Sequence, residues 1–430
     1  MSGLTGTGRT FLFLQGPHGP FFHRLGEMLR RAGVEVWRVG FNAGDGMFWR
    51  DAARYIAYRG RAEDWPETLR SLIVEKSITD IVLYGDTRPI HAQAVEIARA
   101  AGVTVHVFEE GYMRPYWVTY ERGGTNGNSR LMEMSVPEMR AALAQSDMDA
   151  AMPPASWGDM RQHIFYGALY HGCVLFLNQS YRGFRPHRAL SVGQEFSLYL
   201  KRLLLMPLQA IERRIATLRV TQGGFPYHLA LLQLEHDSAF QAHSPFSTMG
   251  EFLETVIADF ASGAPRHHHL VIKAHPLEDG RAPIRHDVRR FARAHGIAKR
   301  VHFVRGGKLA RLLDEARSAV TVNSTAAQQA LWRGIPLKTF GAAVYDKPEF
   351  VSSKPLPEFF ACAERPDRRA YADYRRFLLE TSQVAGGFYS SRGRRQLLRQ
   401  TVDMMLAPED PYDALRSGTA APRQQLHAVT

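Results

Sequence analysis

The stretch Phe108-Glu109-Glu110-Gly111-Tyr112-Met113-Arg114-Pro115-Tyr116-Trp117 places two carboxylates, a turn glycine and an arginine directly after a short apolar run, Val103 to Val107. That run has the length and composition of a buried parallel strand. Ligands of open α/β sheets bind beyond the carboxyl ends of the strands, which is where these acids fall. A carboxylate held there can act as nucleophile or base at the anomeric carbon of a sugar. Adjacent side chains of an extended chain point to opposite faces, so one of Glu109 and Glu110 is expected to do chemistry. The other is expected to serve as a structural partner, with Arg114 as its counter-charge.

Further signals end other predicted strands. Asn323-Ser324-Thr325 lies between a strand and a helix, where a hydroxyl caps the helix and free N–H groups can hold an anion. The same pattern also suits a simple cap. Lys273-Ala274-His275-Pro276 ends another strand; Pro276 stops it, and His275 beside Lys273 offers donors to a phosphate oxygen. Gln233 and Asp237, in Gln233-Leu234-Glu235-His236-Asp237-Ser238, offer amide and carboxylate groups to a base or to sugar hydroxyls, or form an ordinary polar loop. Near the start, Gln15-Gly16-Pro17-His18-Gly19-Pro20 follows the opening strand. Its prolines remove N–H donors and it lacks the dinucleotide fingerprint, so Gln15, Gly16, His18 and Gly19, with Arg114, are assigned to an acceptor.

The elements that position these groups alternate. Strands are predicted at Thr10–Leu14, Val34–Val39, Asp80–Tyr84 and Val103–Phe108, with helices at Phe22–Ala32, Trp65–Lys76 and His91–Ala101. A second alternating series runs through strands at Tyr227–Leu234, Leu270–Ala274, Val301–Val304 and Ala319–Val322. Its helices are Met249–Ala261, Val288–Ala294, Lys308–Ala316 and Thr325–Arg333. This rhythm predicts an α/β protein of two Rossmann-like, doubly wound halves facing a cleft, the GT-B arrangement. The expected divisions are an acceptor domain over 1–222 with a helical basic insertion at about 137–220, and a nucleotide-sugar domain over 223–350. C-terminal helices over 351–409 pack back on the first domain, and a flexible tail follows over 410–430.

The chain has 430 residues, 45% of them hydrophobic, enough for sizeable cores. Two cysteines, Cys173 and Cys362, exclude a disulfide scaffold. The formal charge is +12. Between Ser180 and Phe225, eight basic residues face only Glu195 and Glu212, a net of +6. Within that segment Leu200, Leu204, Leu208, Ile211, Ile215 and Leu218 form one helical stripe, kinked at Pro207. Basic residues on the opposite face allow contact with a membrane surface. No recognised nucleic-acid module accompanies them, and nucleic acid is not an expected partner. No signal peptide or transmembrane run is found, so the chain is expected in the cytoplasm or at the inner face of a membrane. Asp147-Met148-Asp149 and His267-His268-His269 lack the context of metal sites, and neither metal nor cofactor is expected.

Taken together, Gln15-Gly16-Pro17 through Phe22, Glu109-Glu110-Gly111 through Trp117, Gln233 through Phe246, Lys273 through Pro276 and Asn323-Ser324-Thr325 resemble the bacterial capsule polysaccharide biosynthesis and export family. The resemblance spans residues 10 to 390 and is nearest to its single-module β-Kdo transferases. It implies a retaining transfer of Kdo from CMP-Kdo to a lysophosphatidylglycerol, or similar phosphatidylglycerol-type, acceptor at the inner membrane. Its implied partner is the capsule biosynthesis and ABC export complex. The family's catalytic carboxylate, immediately before the glycine, falls on Glu110; Glu in place of the frequent Asp is a departure. The family's phosphate contacts fall on His275-Pro276 and Ser324-Thr325.

Overall fold

The computed structural model describes residues 8–113, 116–145, 160–181, 183, 192–278 and 280–420, with the backbone alone for 192–204 and 206. It divides into two compact units. The first comprises residues up to 130, 137–188 and those from 375 on; the second comprises 131–136 and 189–374.

The first unit is built on a seven-stranded sheet. Its strands are β1 (Thr10–Phe13), β2 (Glu35–Gly40), β3 (Tyr55–Ala57), β4 (Asp80–Tyr84), β5 (Thr104–Glu110) and β6 (Trp117–Arg122), joined late in the chain by a short strand at Gln383–Ala385. Strands β5, β4, β1, β2 and β3 lie side by side in that order and are parallel. Strand β6 runs antiparallel to β5, and Gln383–Ala385 runs antiparallel to β6. Alternation along each strand divides the core. Phe11, Phe13, Val82 and Phe108 face helices Phe21–Arg31 and Ser391–Leu406. Leu12, Leu14, Ile81, Leu83 and Val107 face helices Trp65–Glu75 and Pro89–Ala100.

The second unit holds β7 (Tyr227–Leu231), β8 (His269–Ala274), β9 (Val301–Arg305), β10 (Ala316–Thr321) and β11 (Leu337–Thr339), which makes Gln383–Ala385 strand β12. Its order is β11-β10-β7-β8-β9, parallel throughout. The direction of winding reverses between β7 and β10, the switch point at which such sheets bind ligands. Leu270, Ile272, Val320 and Val322 pack under helices Met249–Gly263, Ile284–Ala294 and Leu356–Ala361. Each unit is therefore a Rossmann-like α/β layer structure, the two components of which a GT-B chain is made. No helix among the described residues is long and apolar enough to cross a membrane.

Several expectations are corrected. The helix expected from the stripe Leu200 to Leu218 runs from Val192 to Thr221. It groups with the second unit, not the first, because its carboxyl half packs against β9. The C-terminal helices expected over 351–409 are interrupted by a strand: Gln383–Ala385 extends the first sheet through β6. Helix Leu356–Ala361 joins the second unit's core. The end of the chain, expected to be flexible from residue 410, forms helix Pro411–Ser417 with Tyr412 buried. The helix expected over 325–333 is a short 3-10 turn, Thr325–Ala327, followed by five residues of α-helix.

A polar chain runs from Arg9, just before β1, across three strands of the first sheet. Arg9 donates to Asp80, and His106 bonds Asp80 through Nε2 at 2.8 Å and the Tyr120 hydroxyl through Nδ1 at 2.7 Å. Burial alone would raise the Asp80 carboxyl, but hydrogen bonds from His106 and Arg9 outweigh it and hold it at about 2.

Glu121 on β6 is buried and accepts from the Tyr112 hydroxyl at 2.6 Å and from Ser129. Burial pushes its carboxyl from 4.5 up to about 7, although these donors oppose the shift. A raised folded-state value means that the stability it contributes is complete below pH 4.5 and is lost as pH rises through about 7. Thermal unfolding should therefore show wild type losing about 3 kcal/mol relative to Glu121→Gln across that window. Parallel pH profiles for the two proteins would refute the assignment.

Candidate functional site

The carboxyl edge of the first sheet gathers most of the predicted groups of that unit. Strand β5 extends through both acids, with Glu109 opposite Thr119 and Glu110 opposite Val118. Glu110 is partly exposed and accepts from the Tyr84 hydroxyl at 3.3 Å, from the end of neighbouring β4. Glu109 instead accepts from the Glu110 backbone N–H at 3.1 Å. Its second oxygen lies 3.0 Å from where a Cβ on Gly85 would be. Burial, with Tyr389 and the two glutamates nearby, raises Tyr84 well above its ordinary value, so its hydroxyl keeps the proton it donates. Arg88 lies over the Tyr84 ring at 5.6 Å. Tyr84, Arg88 and Tyr389 were not singled out in the sequence; the only signal for the first two was their place at the end of β4.

The glycine after the acids has a steric reason. Gly111 N–H donates to Trp117 O at 3.1 Å, and a Cβ there would sit 2.3 Å from that oxygen. Gln383 on β12 holds the loop by accepting from Tyr112 N–H at 2.9 Å. Tyr116 takes a left-handed φ of 79°, costly for a tyrosine, and its carbonyl accepts from Gly386 N–H at 2.9 Å. Arg114 lies outside the described residues, as does Asp147-Met148-Asp149.

The opening loop adjoins β4 through Tyr84 N–H donating to Gln15 O at 3.2 Å. The Gln15 amide donates to buried Asp45 at 3.1 Å, so it orients the loop. Gly16 leaves no room for a side chain, since a Cβ would lie 2.5 Å from the Phe22 ring. Gly19 has φ of 117°, and His18 stacks on Tyr170 at 4.2 Å. That tyrosine belongs to helix Met160–Phe176, which leaves Ile164, Phe165 and Phe176 exposed.

In the second unit the predicted groups occupy the ends of adjacent strands. At the switch point, Gln233 and Asn323 clasp each other: Gln233 Nε2 donates to Asn323 Oδ1 at 2.7 Å, and Asn323 N–H donates to Gln233 Oε1 at 3.1 Å. Asn323 Nδ2 also donates to Ala239 O and His243 O, at 3.1 and 3.3 Å. This pair fixes the strand ends. Ser324 accepts from Ala326 N–H at 3.3 Å and starts the short turn on which Thr325 stands partly exposed. Asp237 is exposed and caps helix Ser238–His243.

Lys273 and His275 end β8. Leu277 N–H donates to His275 Nδ1 at 3.1 Å, so the neutral imidazole carries its proton on Nε2. Pro276 is exposed, and Gly306 packs close to it: a Cβ there would lie 3.2 Å from Pro276 Cα. Lys273 is buried and has no acidic partner among the described residues. Burial, then nearby Arg213, pulls its ammonium down to about 8 from 10.5. Arg213 lies against Gly307, 3.0 Å from where its Cβ would be, and Arg305 has a buried Nε without a hydrogen-bond partner. Lys273 and Arg213 thus make a cationic corner. Arg213 was legible only as one of a basic run. The three histidines at the start of β8 are partly engaged by other histidines: His268 bonds His228 at 3.0 Å and His269 bonds His302 at 2.8 Å. Among the described residues no group of three or more His, Cys, Asp or Glu is arranged to hold a metal.

The family model of capsule polysaccharide biosynthesis proteins matches residues 79–389. The chain is 29% identical over 389 residues to the capsule polysaccharide export protein KpsS of Escherichia coli, covering 89% of this chain and 97% of that protein. It is 32% identical over 406 residues to the capsule polysaccharide modification protein LipB of Neisseria meningitidis serogroup A, covering 91% and 94%. Among solved structures, the β-Kdo 2,7 transferase KpsC of Thermosulfurimonas dismutans matches with a TM-score of 0.46 and 13% identity, covering 92% of this chain and 100% of that one. The matched length and the identity to LipB place the chain in the capsule polysaccharide biosynthesis family.

Proposed function

We propose that the protein is a retaining glycosyltransferase that moves Kdo from CMP-Kdo to a phosphatidylglycerol-type lipid at the start of the capsule's lipid linker. The observation that carries this reading is the contrast between the strand ends of the two units. One offers a carboxylate backed by a hydroxyl donor, Glu110 with Tyr84; the other offers a cationic, donor-rich corner around Lys273 and His275.

In this reading the first unit supplies the carboxylate and the second the groups that hold the donor's phosphate. Glu110 attacks the anomeric carbon as the bond to the CMP phosphate breaks and its electron pair leaves with the phosphate. His275 Nε2–H, the Lys273 ammonium and the Ser324 and Thr325 hydroxyls take up the developing charge. The acceptor hydroxyl then attacks from the side the phosphate left, its proton passes to the CMP phosphate, and Glu110 departs. Two inversions give retention. Glu109 and the Gln233–Asn323 clasp are positioning groups. The 15–20 loop, with Arg88 and Arg114, orients the acceptor, and the exposed apolar side chains of helix Met160–Phe176 accommodate its acyl chain. No metal or cofactor is assigned a role, and the site of work is the inner face of the membrane beside the capsule export machinery.

With CMP-Kdo and a lysophosphatidylglycerol, mass spectrometry should detect the glycolipid product. Glu110→Gln should lower turnover by roughly a thousandfold or more while calorimetric CMP affinity stays within about twofold. Unchanged turnover would remove Glu110 from the chemistry, and tighter binding of UDP or GDP than of CMP would reassign the donor. The pH dependence supplies a second measurement. Lys273 loses its charge as pH rises through about 8, so kcat/KM for the donor should fall there. Lys273→Arg, which stays charged, should shift that limb to higher pH; an unmoved limb excludes Lys273 as its source.

A further inference from the structure

The carboxyl half of helix Val192–Thr221 leaves its apolar stripe open. Leu208, Ile211, Ile215 and Leu218 are 65%, 59%, 54% and 38% exposed. Their spacing of three and four residues puts them on one face. The adjoining face, offset by one residue, carries Glu212, Ala216 and Arg219 and turns toward helix Ile284–Ala294. Between the two helices, above edge strand β9, runs a groove of about 320 Å³. Arg219, Arg285, Arg289 and Arg293 line it over an apolar floor that includes Val288 and Phe303. Glu212 pairs with Arg285 at 2.6 Å, and Arg290 pairs with Asp287 at 3.1 Å. Arg219, Arg289 and Arg293 are exposed and have no acidic partner among the described residues.

We infer that this face of the second unit docks on an anionic phospholipid bilayer. The aliphatic ridge enters the boundary between head groups and acyl chains, and the arginine groove beside it takes lipid phosphates. Charge and shape favour this occupant. A ridge of leucine and isoleucine with no aromatic side chain offers nothing on which nucleobases stack. Guanidiniums bind phosphate oxygens in pairs, and an amphipathic helix with cations along its flank lies in the plane of a membrane. The surface is separate from the strand-end groups assigned to the donor and acceptor.

Vesicle flotation of the full chain tests the inference, using phosphatidylcholine alone and equal parts of phosphatidylcholine and phosphatidylserine. Phosphatidylserine keeps recognition of the proposed acceptor out of the measurement. The chain should float with the anionic vesicles only, and less so in high salt. Arg289→Gln with Arg293→Gln should weaken partitioning by about 30-fold. Ile211→Ser with Ile215→Ser should weaken it by a comparable factor. All four side chains are exposed, so both variants should keep the wild-type unfolding transition. Glu110→Gln should float as wild type does, which separates this inference from the proposed chemistry. Equal flotation of wild type and both folded variants would overturn it. So would loss of self-association in the variants, or loss of oligonucleotide binding, without any vesicle binding by wild type.

Discussion

Parallel strands end on the same edge, and that constraint organises everything of chemical interest in this protein. Each strand delivers its last side chains to that edge, where the ladder no longer satisfies polar groups. An unpaired buried donor or acceptor costs about 1–3 kcal/mol, so neighbouring strand ends must pair with one another. Tyr84 donates to Glu110, the main chains of Gln15 and Tyr84 join, and Gln233 clasps Asn323. The side chains left over after this pairing are the ones available to a ligand.

The two sheets resolve the constraint with opposite charge. In the first, carboxylates are held by a phenol and by main-chain N–H groups, and Glu110 keeps a partly open face. In the second, Lys273 is buried beside another cation with no acid among the described residues to neutralise it, an arrangement that is costly until an anion arrives. Such a corner favours anions over neutral ligands before any specific contact is made. The short turn after Ser324 adds hydroxyls and N–H groups without the dipole of a long helix.

Much of this was legible because it depends on period and punctuation. The apolar runs of β1, β4, β5, β7, β8 and β10 are continuous, and glycine or proline closes most of them, so their ends and the residues there could be read directly. What could not be read was pairing. Gln383–Ala385 is three residues long and polar at its first position, so only its partner β6 makes it a strand. Gln233 and Asn323 looked like ligand-binding amides because nothing local announces a clasp between residues 90 apart in the chain. Arg213 was hidden among like charges, and its place beside Gly307 follows from how the long helix lies on β9. The apolar stripe of that helix was evident from its spacing, but spacing cannot tell a buried face from an open one.

The first unit is assembled from segments that lie far apart in the chain. Gln383, which fastens the loop after Glu110, is 271 residues downstream of the Tyr112 N–H it accepts from. Leu397, Val402 and Met405 complete the same core as Phe11 and Phe13. A ribosome releases the whole second unit before it releases these pieces. The amino-terminal sheet must therefore wait, with part of one apolar face uncovered, while the later lobe is synthesised and folds. Assembly thus runs against chain order, and a truncation that removes residues 383–405 strikes the earliest-made half of the molecule.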